Sequence, residues 1–389
     1  MNQADNKKCV MIIAGEDSGD LHGSNLIKAM KSKDGFLGFY GIGGERLKNA
    51  GLQILFPSSE LSVMGITEVF SKLPAIFKAL GIVKKFLKSR KPDILILIDF
   101  ADFNLQVAKT AKKIGVPVLY YIPPKAWAWR PGRVKKIRER TDHLAVILPF
   151  EADFFQGHGL PTSFIGHPLL DSYTVMDETF IKRGHNAKGR IIGLLPGSRK
   201  KEIMRHLPVM LDAAGLIRRR IGGVRFLVSL APSADRSYME GVVKNHSEAP
   251  YVEFVAGDVK TVFDRADFLV AASGTVTLEA ALAGIPMVII YIVSAVSYIL
   301  GKSLAKVKYA GLANLIAGRE IIPELLQWAA SPENISEKAC TVLENAQKME
   351  RMRRELMGIR EMLGGPGAAD RLADIALKML AGEKIFNLK

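Results

Sequence analysis

Short apolar runs alternate with amphipathic helical patterns along the first part of the chain. Helical spacing marks stretches such as Leu21–Lys31 and Leu105–Ile114, which lie between the apolar runs. The runs that predict strands are Val10–Ala14, Gly38–Ile42, Ile94–Ile98, Val116–Ile122 and Leu144–Leu148. This alternation predicts a parallel, doubly wound α/β sheet.

The same pattern starts again in the second part. The predicted strands there are Arg190–Leu195, Val224–Leu230, Tyr251–Val255, Asp267–Ala271 and Pro286–Tyr291. Predicted helices follow Arg199, Asp235, Asp258 and Thr275. We therefore expect an α/β protein of two Rossmann-like domains with doubly wound parallel sheets, 1–166 and 167–345, facing across a cleft.

The remaining segment, 346–389, is predicted to be helical. One long charged helical pattern covers Glu333–Leu363, and the cluster Gly364–Gly367 breaks it. A final helix is expected over Ala368–Leu380. It would pack on the first domain of its own chain or, in a homodimer, on that of a partner chain, and the sequence leaves both open.

Composition narrows the class of protein. Of 389 residues, 48% are hydrophobic, which excludes a disordered chain, and the net charge of +15 favours anionic partners: nucleic acid, an anionic membrane surface or a phosphorylated substrate. The polar start predicts no signal peptide, and no apolar run reaches the roughly 20 residues of a membrane span. Cys9 and Cys340 match no zinc or redox spacing, so we expect free thiols in a reducing cytosol and no metal site.

An aspartate ends the most apolar predicted strand. Asp99 is the first polar residue after Ile94–Ile98, and catalytic groups gather where parallel strands end. A half-buried carboxylate there suits a general base. A strand-end cap or an internal ion-pair partner is an equal alternative from this run alone.

The loop after the first strand, Gly15–Asp20, is acidic and lacks a full phosphate-binding glycine pattern. Ser18 or Asp20 would cap the helix that follows, or the loop would bind a neutral sugar through hydroxyls. Capping is the preferred interpretation.

Two loops of the second part have the composition of an anion site. Ser198 and Arg199 follow a strand and open a helix, as do Ser273, Gly274 and Thr275. Free N–H groups at a helix start bind phosphate, and arginine adds a bidentate contact. Glu279, about one turn further on, would accept hydrogen bonds from ribose hydroxyls or serve only as a helix-dipole partner. The alternative for the loop with Ser198 and Arg199 is an ordinary strand–helix turn with a surface arginine. Together these residues predict a nucleotide site.

The segment 62–88 has apolar residues at helical spacing with lysines between them. Its apolar positions include Met64, Ile66, Val69, Phe70, Leu73 and Phe77. This pattern suits a helix attracted to anionic lipid, although an ordinary amphipathic helix packed on its sheet is the commoner case. Trp127 and Trp129, beside a basic run, fit nucleic acid or sugar stacking less well than the edge of a core.

Nine short motifs follow one another along the chain: Gly15–Asp20, Val63–Ile66, Ile98–Asn104, Trp127–Arg130, Leu148–Glu151, Phe164–Pro168, Leu195–Arg199, Ser273–Thr275 and Asn314–Glu320. With these motifs in this order, the chain resembles the lipid-A-disaccharide synthase family over nearly its full length. The resemblance implies the GT-B fold and an inverting glycosyltransferase of lipid A biosynthesis. The implied donor is UDP-2,3-diacylglucosamine and the acceptor is 2,3-diacylglucosamine 1-phosphate. The products are a β-1,6-linked disaccharide 1-phosphate and UDP.

Carried over residue by residue, the resemblance makes Asp99 the catalytic base, with Asp102 and Asn104 shaping its surroundings. It implies that UDP is held by Ser198, Arg199, Ser273, Gly274, Thr275 and Glu279. It places Ser18, Asn314, Arg319 and Glu320 at the cleft, without a defined role. It also implies that Met64 and its neighbours contact lipid at the inner face of the inner membrane. No cofactor, metal or nucleic acid is implied.

The chain departs from the family pattern at Ala101 and Ala313, where proline is usual, and at Pro123–Ala126, where a serine-containing segment is usual. None of these changes removes a proposed charged group.

The alternatives to the implied function are another UDP-sugar transferase or a UDP-sugar 2-epimerase of the same fold. A non-catalytic module that binds anionic lipid or nucleic acid is a third, but it would not need Asp99 or Glu279.

Overall fold

A computed structural model describes residues 7–61, 66–128, 132–172, 189–294, 298, 307–383 and 385, with 66–71 and 172 as backbone only. The chain forms two compact units, Met1–Ser172 with Leu363–Lys389, and Tyr173–Met362. Each unit is built on one parallel sheet, as the apolar pattern predicts. Among the described helices, none combines the length and apolarity needed to cross a bilayer.

The first unit contains a seven-stranded parallel sheet in the order β3-β2-β1-β4-β5-β6-β7. Its strands are β1 (Lys8–Ala14), β2 (Leu37–Gly43), β3 (Leu52–Pro57), β4 (Ile94–Ile98), β5 (Val118–Tyr121), β6 (His143–Val146) and β7 (Thr162–Phe164). Its helices are α1 (Asp17–Lys33), α2 (Glu45–Ala50), α3 (Ile66–Arg90), α4 (Ala101–Lys113), α5 (Arg133–Arg140), α6 (Pro149–Gly157) and α7 (Leu169–Ser172), and residues 363–383 add one more. The apolar pattern misses β3 and β7, because one carries polar Gln53 and the other has only three residues.

Both faces of this sheet are covered. Along β1, Met11 and Ile13 belong to one buried cluster, whereas Val10 and Ile12 belong to the other. All five residues of β4 are buried, as expected for a central strand of a parallel sheet. The strand order reverses between β1 and β4, so their carboxyl ends form a topological switch point.

The second unit contains a six-stranded parallel sheet in the order β10-β9-β8-β11-β12-β13. Its strands are β8 (Arg190–Leu195), β9 (Val224–Leu230), β10 (Val252–Ala256), β11 (Phe268–Ala272), β12 (Met287–Tyr291) and β13 (Glu324–Leu326). Its helices are α8 (Lys200–Ile221), α9 (Arg236–Lys244), α10 (Lys260–Phe263), α11 (Thr275–Leu282), α12 (Leu312–Ala317), α13 (Pro332–Leu343) and α14 (Ala346–Met362). The switch point of this sheet lies between β8 and β11.

The predicted long helix over Glu333–Leu363 is wrong, because the chain breaks at Glu344 and Asn345 into α13 and α14. The Asn345 side chain accepts a hydrogen bond from the Lys348 N–H at 3.0 Å and so caps the start of α14. Helix α14 belongs to the second unit, whereas the last helix, α15 (Ala368–Leu380), belongs to the first.

Helix α15 has the predicted bounds and packs against the first unit of its own chain. Leu372, Ala373, Ile375 and Ala376 join the buried cluster that contains β1 and α1 residues. Arg371 donates hydrogen bonds to the carbonyls of Ile165, Gly365 and Pro366. These contacts hold the segment that returns from the second unit.

Candidate functional site

The turn after β4 has an unusual backbone. Asp99 has φ +46° and Phe100 has φ +49°, so two consecutive residues with side chains lie in the left-handed region. Such conformations cost free energy and persist where the surroundings enforce them, often at active sites. The turn separates the buried strand β4 from helix α4.

Two buried side chains hold this turn. Asn104 donates from Nδ2 to the carbonyl oxygens of Asp99 at 2.6 Å and Ile98 at 3.2 Å. The hydroxyl of Tyr120, a fully buried residue of β5, donates to the same Asp99 oxygen at 2.8 Å. The Asp99 N–H donates to the carbonyl of Tyr121 at 3.2 Å. The Asp99 backbone is therefore fixed from two elements.

Gly15, at the end of β1, makes room for this turn. A Cβ atom on Gly15 would lie 2.4 Å from the Phe100 ring, so a larger residue would push the ring away. The glycine that begins the Gly15–Asp20 motif thus supports the turn after β4. The loops after β1 and β4 meet at the switch point of the first sheet.

The Asp99 carboxyl is half-buried, and burial raises its pKa above the ordinary value. A hydrogen bond from the Phe100 backbone and the positive charge of Lys125 act in the opposite direction, but less strongly. A carboxylate with a raised pKa is a better proton acceptor once it is ionised. The site therefore has the electrostatics of a general base.

Asp102 and Asp20 have different partners. Asp102 is exposed, and both its oxygens accept hydrogen bonds from Arg133 Nη2, at 2.7 and 2.8 Å. Asp20 does not cap its own helix: it lies inside α1 and accepts hydrogen bonds from the N–H groups of Gly44, Arg46 and Leu47, where α2 begins. Ser18 lies exposed in the first turn of α1 and does not cap it either, since the N-cap position is Glu16.

Two histidines lie at the same end of the first sheet, His22 on α1 and His167 after β7. Burial lowers the pKa of each to about 4, so both are neutral near pH 7. Nδ1 of His167 accepts the Leu169 N–H at 3.2 Å, and the His22 ring packs edge-on against Tyr121 with centroids 5.9 Å apart. We interpret both histidines as neutral packing residues of the first unit rather than as ion-pair partners.

In the second unit, the loops after β8 and β11 are neighbours because Leu195 pairs with Ala271 across adjacent parallel strands. Ser198, Arg199, Gly274 and Thr275 are exposed at the starts of α8 and α11, and neither helix has a side-chain cap on its first N–H groups. Glu279 is half-buried on α11. This arrangement leaves backbone donors available for an anion.

Some of these side chains also have protein partners. Arg199 Nη1 lies 3.2 Å from Glu202 Oε1 in an exposed pair. The Ser273 hydroxyl donates to the carbonyl of Ala310 at 3.1 Å. Thr277, in the first turn of α11, donates to the carbonyl of Gly274 at 2.7 Å.

Buried groups that the local sequence pattern does not reveal support these loops. His206 is fully buried and accepts the Ile292 N–H on Nε2 at 2.9 Å, so Nδ1 carries the proton given to the Pro196 carbonyl at 3.0 Å. Glu324 accepts the N–H groups of Ala310 and Gly311 at 2.7 and 3.0 Å. His206 connects the ends of β8 and β12, and Glu324 fixes the segment that meets Ser273.

Asn314 is part of the Glu324 network. It is fully buried, donates to Glu324 Oε1 and the Ile322 carbonyl, and accepts the N–H groups of Ile321 and Ile322. Arg319 and Glu320 are exposed and precede β13, and Arg319 pairs with Glu355 of α14 at 3.0 Å. The structure thus keeps Arg319 and Glu320 on the amino side of the second sheet, apart from the loops after β8 and β11.

The predicted lipid segment is only partly described. Met64 lies outside the described residues, and Ile66, Val69 and Phe70 are described as backbone of α3. Leu73 is half-buried, whereas Phe77 is 67% exposed. Ala79, Val83 and Leu87 of the same helix are buried in the core. Among the described residues, no group of three or more His, Cys, Asp or Glu side chains is arranged to hold a metal ion.

Comparison with known proteins decides the family. A family model described as lipid-A-disaccharide synthetase matches residues 10–366. The chain belongs to the lipid-A-disaccharide synthase family. It is 43% identical to the lipid-A-disaccharide synthase of Syntrophus aciditrophicus over 96% of this chain and 98% of that one. It is 43% identical to that of Geobacter metallireducens over 99% and 100%.

Solved structures at low identity share the fold. Acinetobacter baumannii MurG matches with a TM-score of 0.61 and 16% identity over 95% of this chain and 99% of that one. A UDP-GlcNAc 2-epimerase from Neisseria meningitidis, bound to UDP-GlcNAc, matches with a TM-score of 0.61 and 10% identity over 95% and 100%. The protein is a glycosyltransferase of lipid A disaccharide synthesis with the GT-B fold, as its sequence relatives and the two parallel sheets show.

Proposed function

We propose that Asp99 is the general base of this transferase. The supporting observation is the strained turn at the switch point, which Asn104 and Tyr120 fix through the Asp99 carbonyl. Asp99 would take the proton from the 6-hydroxyl of 2,3-diacylglucosamine 1-phosphate. The oxygen then attacks the anomeric carbon of UDP-2,3-diacylglucosamine, the bond to the diphosphate breaks, and UDP leaves as the configuration inverts.

The leaving diphosphate needs charge stabilisation, which we assign to the second unit. Exposed N–H groups at the starts of α8 and α11 and the guanidinium of Arg199 provide donors for an anion. Ser198, Ser273, Gly274 and Thr275 provide short side chains that leave room for it. Glu279 would accept hydrogen bonds from the ribose.

We assign Asn314 a positioning role through Glu324, and we assign Arg319 and Glu320 no contact with the nucleotide. Both the amide oxygen and the amide nitrogen of Asn314 form hydrogen bonds within the protein. Arg319 pairs with α14. The family motif that contains these residues would therefore shape the loop that meets Ser273.

We further propose that the enzyme works at an anionic membrane surface, on the inner face of the inner membrane, where its lipid substrates reside. Exposed Phe77 beside Lys78 on α3 supports this proposal. Phe77→Ser should weaken binding to vesicles that contain anionic lipid, measured by co-sedimentation, and leave binding to neutral vesicles as weak as before. A homodimer is tested by light scattering of the purified protein: twice the mass of one 389-residue chain supports it, and the mass of a single chain contradicts it.

The reaction is tested by mass spectrometry of the products formed from UDP-2,3-diacylglucosamine and 2,3-diacylglucosamine 1-phosphate without added metal. A tetraacyl disaccharide 1-phosphate with an equal amount of UDP supports the proposal. UDP release without disaccharide, or an epimerised UDP-sugar, contradicts it.

A further inference from the structure

Lys125 is the exposed residue of a tightly packed loop after β5. Its neighbours Pro123, Pro124, Ala126 and Ala128 are all buried, whereas Lys125 is exposed. The Ala126 N–H donates to the Pro124 carbonyl at 2.6 Å, and the Ala128 N–H donates to the Lys125 carbonyl at 3.1 Å. The backbone that carries the lysine is therefore fixed.

A buried glutamate anchors this loop to the next one. The indole N–H of Trp127 donates to Glu151 Oε1 at 2.9 Å, and Glu151 Oε2 accepts the Leu148 N–H at 3.1 Å. Glu151 is 3% exposed. The loops after β5 and β6 are thus connected through one carboxylate, which holds the backbone beside Lys125.

The Lys125 ammonium group has no carboxylate partner of its own. No ion pair within 4.0 Å joins it to a described acidic residue, among the thirteen pairs found there. Its charge nevertheless acts on the pKa of Asp99, of Glu151 and of His167, which follow β4, β6 and β7. The same proximity follows from the sheet: Tyr121 at the end of β5 pairs with Ile98 at the end of β4, so Lys125 and Asp99 follow adjacent strands at one edge of the sheet without forming an ion pair.

We infer that Lys125 binds the 1-phosphate of the acceptor sugar and so selects a phosphorylated acceptor. The inference rests on the proposed function. In that acceptor C5, which carries the reacting 6-hydroxymethyl group, and C1, which carries the phosphate, both flank the ring oxygen. The phosphate therefore lies close to the hydroxyl that the base would bind, and an unpaired ammonium group on the loop next to the base is well suited to phosphate.

The test compares two acceptors, 2,3-diacylglucosamine 1-phosphate and the same sugar without the phosphate. Lys125→Met should raise the KM for the phosphorylated acceptor by about 10- to 100-fold, as expected for one lost charge-assisted contact. It should leave the KM for the unphosphorylated acceptor and for the UDP-sugar unchanged. Lys125→Arg should restore most of the preference for phosphate.

The matched control is Lys109→Met, which removes an exposed lysine of α4. It should leave every KM near the wild-type value. If the wild-type enzyme forms no disaccharide, the proposed function fails before Lys125 is tested. If it does, an unchanged acceptor preference in a folded Lys125→Met variant overturns the inference. A raised KM for the UDP-sugar also overturns it, because the lysine would then bind the donor.

Discussion

The carboxyl ends of the two sheets are built in opposite ways. In the first unit, buried side chains converge on one backbone carbonyl and hold Asp99 in a strained turn. In the second, exposed glycine, serine and threonine residues leave the starts of α8 and α11 open. A proton acceptor must be held in one position, whereas a diphosphate needs space and several donors. Changes at the two ends should therefore affect different kinetic constants.

The largest effect is expected from Asp99→Asn. Asparagine tolerates the left-handed backbone and keeps the side-chain shape, but it cannot accept the proton. We expect kcat to fall by about 10²- to 10⁴-fold, the usual contribution of a general base. UDP affinity, measured by calorimetry, should stay at the wild-type value.

Asp102→Asn is the matched control for this change. Asp102 is an exposed carboxylate three residues away whose oxygens face Arg133. It should retain most of the wild-type kcat. Near-normal turnover by Asp99→Asn would remove Asp99 as the base.

Gly274→Val tests the open end of the second sheet. Gly274 has an extended backbone that accepts any residue, and a Cβ atom there meets no protein atom within 4 Å. The variant should fold normally, but its side chain would occupy the space assigned to the diphosphate. We expect the Kd for UDP to rise on the order of 100-fold, as for the loss of two hydrogen bonds to a charged group.

The control for this change is Gly241→Val in α9, where a Cβ atom also meets open space. It should bind UDP as the wild type does, and both variants should melt close to the wild-type temperature. Normal UDP binding by Gly274→Val would place the diphosphate elsewhere.

The sequence was sufficient to predict both open loops and the position of Asp99, because each follows an apolar strand of a parallel sheet. It did not reveal Tyr120 or Glu324, whose partners are backbone groups of other elements. Register decides these contacts: Ile98 pairs with Tyr121, which brings Tyr120 beside the turn. Asp20 shows the same limit, since its three donors lie more than twenty residues away around α2. The local pattern thus predicts where candidate site residues lie along the chain, and long-range packing decides which groups hold those residues in place.

A smaller effect is expected from Tyr120→Phe, which keeps the packing of the ring and removes one of the hydrogen bonds to the Asp99 carbonyl. Asn104 retains the other, so the turn should persist with less order. We expect kcat to fall about tenfold, the equivalent of one ordinary hydrogen bond, with the acceptor KM unchanged.

Tyr121→Phe, the adjacent buried tyrosine of β5, is the control and should keep kcat near the wild-type value. A Tyr120→Phe variant whose KM rises while kcat is retained would contradict a positioning role for the hydroxyl.

The smallest effect is a shift in the pH dependence of kcat/KM. Because burial raises the pKa of Asp99, the rate should rise with pH through a pKa above the ordinary aspartate value, and it should fall below that pKa as the base becomes protonated. The Lys125 charge lowers this pKa, so Lys125→Met should move the acidic limb to higher pH. Arg199→Met, in the other unit, should lower UDP affinity and leave the limb in place. An acidic limb that moves with Arg199 and not with Lys125 would show that the titrating group belongs to the nucleotide site rather than to Asp99.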